Sequence, residues 1–353
     1  MKHEAHEAEP TEISLDEFEV LIDVRPHAPT SPSISGSTIV ELSELVSEPS
    51  KWIPSRTSSV LIICDIGLRS GIAAQHLRRS GYGSAISLAG GIDAWRTEGL
   101  PLVDTAGLTT GQLERYDRHL KLAQVGVPGQ TALLDATVAV VGAGGLGAPV
   151  IMYLAAAGVG TIAIIDDDDV DTSNLQRQPI HAEHDVGRPK VSSAAEFVSG
   201  LNPDVTVIEV RERLGQDNAV ALLDGATVVV DASDNFDTRY AINDAAVKCG
   251  IPVVFASVYA MEGQVAVFDS TSGACYRCVF PEPPDDSIPL DCTIIGVLGS
   301  ITGILGSLQA TETIKLIVGA GDSLAGRLLL YDAAAGSFTT LRFAKDPACP
   351  ACS

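Results

Sequence analysis

Positive charge is what this chain has least of. Its 353 residues hold 23 Lys and Arg against 45 Asp and Glu, a formal net charge of −22. Neutralising a nucleic-acid backbone needs clustered cations, so that class of partner is excluded, and docking on anionic lipid is disfavoured for the same reason. A few local cations and backbone amides still suffice for a small nucleotide. Cysteine is sparse and odd in number, at 7, which does not suit a disulfide framework. Long hydrophobic runs are missing too. The longest uncharged apolar stretch, 293–310, leads into Glu312 and Lys315; it reads as a buried helix, since a membrane span needs about 20 predominantly apolar residues. The first ten residues are polar and acidic rather than basic then apolar, so no secretory segment is read and a cytoplasmic location is expected.

What is present is patterning for two α/β domains, the number that a chain of 353 residues suggests. Residues up to about Glu9 are short of apolar side chains and are expected to be disordered. Strand-like runs at 20–22 and 60–63 then alternate with helix-like patterns at 71–79 and 92–98, which implies a small parallel sheet. The sequence turns to Pro, Gly and Thr over 101–111, and the boundary is placed near Asp104, giving domains 11–104 and 105–353. In the second domain, strands at 137–141, 161–165, 205–209 and 227–230 with helices at 147–157 and 194–201 predict a doubly wound, Rossmann-like nucleotide fold. Further strands at 253–256, 264–268, 328–331 and 339–343, a Pro-rich loop with Pro281, Pro283, Pro284 and Pro289, and an apolar helix ending near Val318 complete it.

The chemistry begins at the glycine turn Gly142-Ala143-Gly144-Gly145-Leu146-Gly147, which follows the strand at 137–141. Such a turn brings backbone N–H groups and a helix N-terminus to phosphate, in dehydrogenases as in ATP-binding proteins. Asp166 closes the second strand, where an acidic residue binds a ribose hydroxyl in either class. Asp168 belongs to the same acidic run, whereas Asp167 and Asp169 read as a solvated strand end. Arg177 and Lys190 supply cations where a triphosphate would extend, suited to charge developing as pyrophosphate leaves. A nicotinamide needs no such clamp. Asp234 follows the strand at 227–231, and a carboxylate at that sheet edge can hold the magnesium of ATP.

Gly142–Gly147, Asp166-x-Asp168, Ser173-Asn-Leu-Gln-Arg-Gln178, Gly187-Arg-Pro-Lys190 and Asp231-x-x-Asp-Asn235, in that order, resemble the MoeB/ThiF-type adenylyltransferases. Those enzymes activate ubiquitin-like sulfur carriers, and the best-known members serve molybdopterin and thiamine-thiazole synthesis. The resemblance runs from Leu113 to the C-terminus. It implies that Gly145, Asp166, Ser173, Asn174, Arg177, Lys190, Asp234 and Asn235 contact ATP or its magnesium. Arg115-Tyr-Asp-Arg118 resembles the family's N-terminal arginine motif, in which the residue matching Arg118 reaches the nucleotide of the other protomer. A homodimer is therefore implied.

Cys275-x-x-Cys278 and Cys349-x-x-Cys352 are two thiolate pairs, the four-sulfur set of a structural zinc, with no open position for catalysis. Cys249 reads as a core thiol. Cys292, in Asp291-Cys-Thr-Ile-Ile-Gly-Val, matches a position where some family members carry a cysteine that links covalently to the carrier. Relatives usually have Glu-Ala or Glu-Gly before the glycine, where this chain has Ile294 and Ile295, and an apolar setting blunts a thiol. Two readings stay open for Cys292, an acyl-carrying nucleophile and an inert loop thiol.

Cys64 ends an apolar strand and opens Cys64-Asp-Ile-Gly-Leu-Arg69-Ser70, after which a helix begins. The helix N-terminus and Arg69 would stabilise an anionic persulfide there. With Asp23-Val-Arg25 upstream and Gly90-Gly-Ile-Asp-Ala-Trp95 downstream, this loop resembles a single-domain rhodanese. The resemblance makes Cys64 the sulfur-carrying nucleophile and Arg69 part of its anion cradle. The segment 26–37 departs from the usual His-x-Pro-Gly-Ala stretch.

The expectation is therefore a two-domain enzyme that uses ATP to adenylylate the Gly-Gly terminus of a sulfur carrier. A persulfide on Cys64, loaded by a cysteine desulfurase or thiosulfate, would then form a thiocarboxylate. An NAD-dependent oxidoreductase accounts for the glycine turn but not for Arg177, Lys190 and the paired cysteines. A non-catalytic scaffold with a regulatory rhodanese module would be expected to lack Cys64, Arg69 or Asp234, and all three are present.

Overall fold

The computed structural model describes residues 7–26, 31–102, 108–283 and 296–353. Cys292, the boundary residue Asp104, and Pro284 and Pro289 lie outside the described residues. The chain divides by compactness into two units, Met1–Thr131 and Ala132–Ser353.

The first unit is built on strands β1 (Glu7–Ala8), β2 (Val20–Asp23), β3 (Ser37–Ile39), β4 (Val60–Ile63) and β5 (Ala85–Leu88), with helices α1 (Leu42–Ser47), α2 (Leu68–Arg79) and α3 (Gly91–Thr97). The strands form one parallel sheet in the order β1-β5-β4-β2-β3. β4 is buried along its whole length, as a central parallel strand covered on both faces must be. Its Val60 and Ile62 face one core cluster with Leu45 and Leu77, while Leu61 and Ile63 face another with Ile92 and Trp95. The expectation of disorder up to Glu9 is corrected at its end, because Glu7 and Ala8 pair with Ser87 and Leu88. Backbone hydrogen bonds to an open sheet edge order a segment whose side chains have little to bury. Helices α4 (Thr110–Arg115), α5 (Asp117–Leu120) and α6 (Gly126–Asp135) follow, the last running across the division. A capping box of Thr109 and Gln112 starts α4.

The second unit contains β6 (Thr137–Val141), α7 (Gly147–Ala157), β7 (Thr161–Ile165), α8 (Lys190–Leu201), β8 (Thr206–Val210), α9 (Ala219–Leu223), β9 (Val228–Asp231), α10 (Phe236–Cys249), β10 (Val253–Tyr259), β11 (Glu262–Phe268), α11 (Tyr276–Val279), α12 (Gly299–Val318), β12 (Arg327–Asp332) and β13 (Ser337–Arg342). One eight-stranded sheet runs β13-β12-β11-β10-β9-β6-β7-β8. Strands β10 to β8 in that order are parallel, and β11 to β13 add an antiparallel meander. From β6 the chain winds outward through β7 and β8, then returns to place β9 on the other side of β6. That reversal opens a crevice at the C-terminal ends of β6 and β9, where open α/β sheets bind ligands. Residues from β6, α7, β7 and α8 build the core on one face, and residues from β9, α10 and the aromatic cluster of Phe255, Phe268 and Tyr276 build it on the other. Among the described residues no helix is long and apolar enough to cross a membrane.

Candidate functional site

At the reversal the chain is drawn too tight for side chains. Gly142 turns out of β6 with φ 101°, and a Cβ on it would stand 2.7 Å from the Ala232 carbonyl oxygen at the end of β9. Glycine meets both demands. The turn opens onto a cavity of about 830 Å³, a volume in the range of cofactor and nucleotide pockets. Gly142, Gly144 and Gly145 line it, while Gly147 starts α7. Asp166 lines it beside the turn, with Oδ2 accepting the Ala143 N–H at 2.7 Å and Oδ1 accepting the Asp168 N–H at 2.9 Å. Burial pushes the Asp166 carboxyl above its ordinary value, against the pull of Lys190 and the two N–H donors.

The expected cations reach the same cavity. Lys190, the first residue of α8, is 5 % exposed, and its Nζ donates to Asp168 Oδ2 at 2.7 Å. Arg177 lines the wall, its guanidinium donating to the Ser173 carbonyl oxygen at 3.0 Å. Asn174 also lines the cavity, and Ser173 stands behind it through that carbonyl. Arg177 is backed by α12, because a Cβ on Gly299 would collide with the Gln176 carbonyl oxygen and stand 3.2 Å from the Arg177 Cα. Asp167 also faces the cavity, whereas Asp169 pairs with Arg211 at the surface.

Asp234 and Asn235 lie across the crevice from these groups. Asp234 is exposed and lines the cavity, and Asn235 caps α10 by accepting the Thr238 N–H at 3.0 Å. A buried network holds this corner. Asp231, 1 % exposed, accepts from the Ser233 N–H and hydroxyl, and the Arg239 guanidinium lies 3.6 Å from its other oxygen, over the rings of Phe236 and Phe255. Burial raises the Asp231 carboxyl despite that cation. An exposed carboxylate at this corner, sharing the cavity with Arg177 and Lys190, has the chemistry to hold a magnesium that travels with a nucleotide.

Sequence reasoning missed Arg239, Thr302, Gln178 and His181 as parts of this site. Arg239 and Thr302 line the cavity from α10 and α12, and no local motif marks them. Gln178 and His181 follow in the run that begins at Ser173; Gln178 lines the cavity beside Gly144, and His181 packs behind the turn. Their proximity to Arg177 in the chain was the available signal.

The four paired cysteines converge. Their Sγ atoms all lie within 4.8 Å of one another, with Cys275 to Cys349 at 3.6 Å and Cys278 to Cys352 at 3.5 Å. A tetrahedron with metal–sulfur bonds of about 2.3 Å has sulfur–sulfur edges of roughly 3.8 Å. The donor set therefore fits a closed four-thiolate metal centre, and no water ligand is needed to complete it. Cys249 is half-buried against the core around α10 rather than wholly enclosed.

In the first unit Cys64 leaves β4 almost fully buried, at 1 % exposure. Its Sγ accepts the Gly67 N–H at 3.1 Å and lies 3.1 Å from the Ser70 hydroxyl, which is 2.8 Å from that of Ser87. The loop is held by α3, whose Ile92 and Asp93 N–H groups donate to the Cys64 and Asp65 carbonyls at 2.9 and 3.0 Å. Gly91, at φ 63°, packs so closely on those carbonyls that a Cβ would overlap them. Upstream, Arg25 forks onto Asp23, and Ser33 donates to the same carboxylate at 2.6 Å. Arg69 stands exposed on the first turn of α2, so the groups touching the sulfur are Gly67 and Ser70. Ile66 on the loop and Leu68 at the start of α2 are exposed. Arg118, of the first unit, is also exposed, 3.7 Å from Asp117.

The ThiF family model matches residues 116–351, and the rhodanese-like domain model matches residues 9–98. The SAMP-activating enzyme E1 of Haloferax volcanii is 50 % identical over 248 residues, 70 % of this chain and 92 % of that protein. The sulfur carrier protein adenylyltransferase of Thermus thermophilus is 47 % identical over 249 residues, 69 % of this chain and 92 % of that one. The "Probable adenylyltransferase/sulfurtransferase MoeZ" of Mycobacterium tuberculosis is 48 % identical over 255 residues, 71 % of this chain and 65 % of MoeZ. A crystal structure of E. coli MccB superposes with a TM-score of 0.60 at 22 % identity, covering 68 % of this chain and 75 % of that one, which speaks for the fold alone. With the glycine turn, the two cations and the paired cysteines in place, the chain belongs to the ThiF family and carries a rhodanese-like domain ahead of the ThiF region.

Proposed function

We propose that this enzyme adenylylates the C-terminal Gly-Gly of a ubiquitin-like sulfur carrier and converts it to a thiocarboxylate with sulfur carried on Cys64. The observation that carries the reading is one cavity in which a glycine turn, Asp166, Arg177, Lys190 and Asp234 meet at the reversal of the sheet. Two cations and an exposed carboxylate suit a triphosphate with magnesium; a nicotinamide dinucleotide leaves them idle. Relatives at 47 and 48 % identity bear the names of an adenylyltransferase of sulfur carriers and an adenylyltransferase/sulfurtransferase.

In the first step the carrier's terminal carboxylate oxygen attacks the α-phosphorus of ATP, and pyrophosphate leaves. The carboxylate is itself the nucleophile, so no side chain need supply one. The glycine-turn amides and Asp166 hold the nucleotide, Asn174 and Asn235 border it, and Arg177 and Lys190 stabilise charge on the leaving pyrophosphate. Asp234 would hold magnesium, which supplies charge neutralisation on the phosphates when bound. Arg118 extends from its own chain with an 89 % exposed side chain, consistent with reaching the nucleotide of a second protomer in a homodimer.

In the second step the terminal sulfur of a Cys64 persulfide attacks the carrier's acyl carbon and AMP leaves, forming an acyl disulfide. A thiol, for which Cys292 is the candidate, then attacks the Cys64 sulfur; the thiocarboxylate leaves and a disulfide to Cys64 remains, which a cellular dithiol reduces before the next turnover. The donor that loads Cys64 is a cysteine desulfurase or thiosulfate. The Gly67 N–H and Ser70 hydroxyl stabilise anionic sulfur in the loop, and Arg69 adds charge at its rim. The four cysteines hold a structural zinc that fastens the C-terminal tail to α11. The domains proposed are 11–104 for sulfur transfer and 105–353 for adenylylation, acting in the cytoplasm.

The test is ATP–pyrophosphate exchange by purified protein with a panel of carriers ending in Gly-Gly, each beside a version lacking those glycines. Exchange with one carrier, lost on truncation, supports the reading and names the substrate. Absence of exchange with every well-folded carrier overturns it.

A further inference from the structure

His181 lies outside the cavity wall and is 5 % exposed, behind the glycine turn. Its Nε2 is 3.0 Å from the Ala143 carbonyl oxygen and its Nδ1 is 2.8 Å from the Ser193 hydroxyl. A carbonyl only accepts, so Nε2 carries the proton; Nδ1 pairs with the Ser193 hydroxyl, which also hydrogen-bonds the buried Asp185 carboxylate. Ser193 sits on α8, one turn beyond Lys190, and is itself buried. Burial, with Lys190 nearby, holds the imidazole below its ordinary value against the opposing pull of the Ala143 carbonyl, Asp185 and Asp166.

The hydrogen bond to Ala143 matters because of what shares its peptide. In a trans peptide the C=O and the following N–H point in opposite directions. Holding the Ala143 oxygen back against His181 therefore aims the Gly144 N–H the other way, and Gly144 lines the cavity. Ala143 is pinned on its other side as well, by its own N–H to Asp166 at 2.7 Å. Without the histidine, the unit between Ala143 and Gly144 could turn over, since Gly144 has no Cβ to resist it. That would present a carbonyl oxygen, rather than an N–H, to an anion.

We propose that His181 is a positioning residue for the nucleotide, fixing through Ala143 the direction of the Gly144 N–H, with Ser193 holding the ring's other nitrogen. The inference rests on the cavity being the ATP site. It ties the glycine turn to α8, the helix that begins with Lys190, so that phosphate-facing amide and ammonium are held by one hydrogen-bonded chain.

The test uses the full-length protein with its carrier. ATP affinity is measured by calorimetry, KM and kcat by pyrophosphate exchange, and Tm by calorimetric melting, for wild type, His181→Leu, His181→Gln and Ser193→Ala. Misdirecting one phosphate-binding amide is expected to raise the Kd and KM for ATP in His181→Leu by about tenfold or more. His181→Gln, which restores an N–H donor near the Nε2 position, should recover most of that loss. A purely structural role would lower Tm in both while leaving KM for ATP unchanged, and that result overturns the proposal. Should His181→Leu not fold, Ser193→Ala decides, since an unchanged KM there also overturns it. Failure of the wild type itself to bind ATP would instead overturn the reading of the cavity, and the inference with it.

Discussion

Lys190 Nζ and Asp168 Oδ2 stand 2.7 Å apart, with the lysine side chain 7 % exposed and the aspartate 66 % exposed. The carboxylate is thus the solvent-side lid on an ammonium that faces the cavity. A triphosphate approaching Lys190 competes with Asp168 for the same three donors. Charge stabilisation of this kind is worth about 10²–10³ in rate, so Lys190→Met should cut pyrophosphate exchange by about that factor. Asp168→Asn should keep most of the activity. Equal losses in the two variants would assign Lys190 to the pair itself and not to phosphate.

The persulfide and adenylation steps fall on separate units and should separate by mutation. Cys64→Ala is expected to retain pyrophosphate exchange with the carrier and to form no thiocarboxylate, as read by mass spectrometry of the carrier. Loss of exchange in that variant would refute the division of labour.

Gly91 is the backbone support of the Cys64 loop. With φ 63° and the Cys64 and Asp65 carbonyls in the way of a Cβ, Gly91→Ala strains both conformation and packing, at a cost of roughly 1–3 kcal/mol or more. Persulfide formation from a sulfur donor should fall sharply, while exchange with ATP and carrier stays near wild type. Normal persulfide loading in this variant would show that α3 is not what shapes the loop.

Four thiolates within 4.8 Å of one another require a cation to share their charge. Metal analysis of purified protein should find close to one zinc per chain, reduced in Cys352→Ser. If removal costs about 2 kcal/mol, Tm falls by roughly 4–8 °C. Protein that is fully folded, equally stable and free of metal would contradict the zinc assignment.

His181 also leaves a signature in stability against pH. Its imidazole is held below its ordinary value when folded, whereas in the unfolded chain it protonates near about pH 6.5. Unfolding therefore takes up a proton below that pH. The contribution of the neutral ring is complete above about pH 6.5 and is lost as pH falls through that value toward the folded pKa. The Tm of wild type relative to His181→Gln should decline between about pH 7 and about pH 5, measured by calorimetry in matched buffers. A constant difference would mean that the folded and unfolded imidazoles titrate alike.

The fold was legible where one signal dominates. Strands 137–141 and 161–165 and helix 147–157 match the observed β6, β7 and α7 to the residue, because continuous apolar runs bounded by glycine admit few alternatives. Helix α8 begins four residues earlier than its apolar pattern, at Lys190, since Pro189 starts it and its first turn carries Lys190, Ser192 and Ser193 around a single core residue, Val191. Helix α10 was not read at all. Its buried face carries Arg239, Asn243 and Thr238, polar residues satisfied only by partners such as Ser233, Tyr276 and Leu214 from elsewhere in the chain. The same cause hid His181. Its partners, Ala143 and Ser193, lie 38 and 12 residues away, so only the folded chain reveals the bond.

Gly299 joins the cavity wall to α12. Because the start of α12 lies in direct contact with the backbone of Gln176 and Arg177, the two cannot slide independently; a displacement of one must carry the other. The setting of α12 is therefore also the setting of Arg177 on the cavity wall.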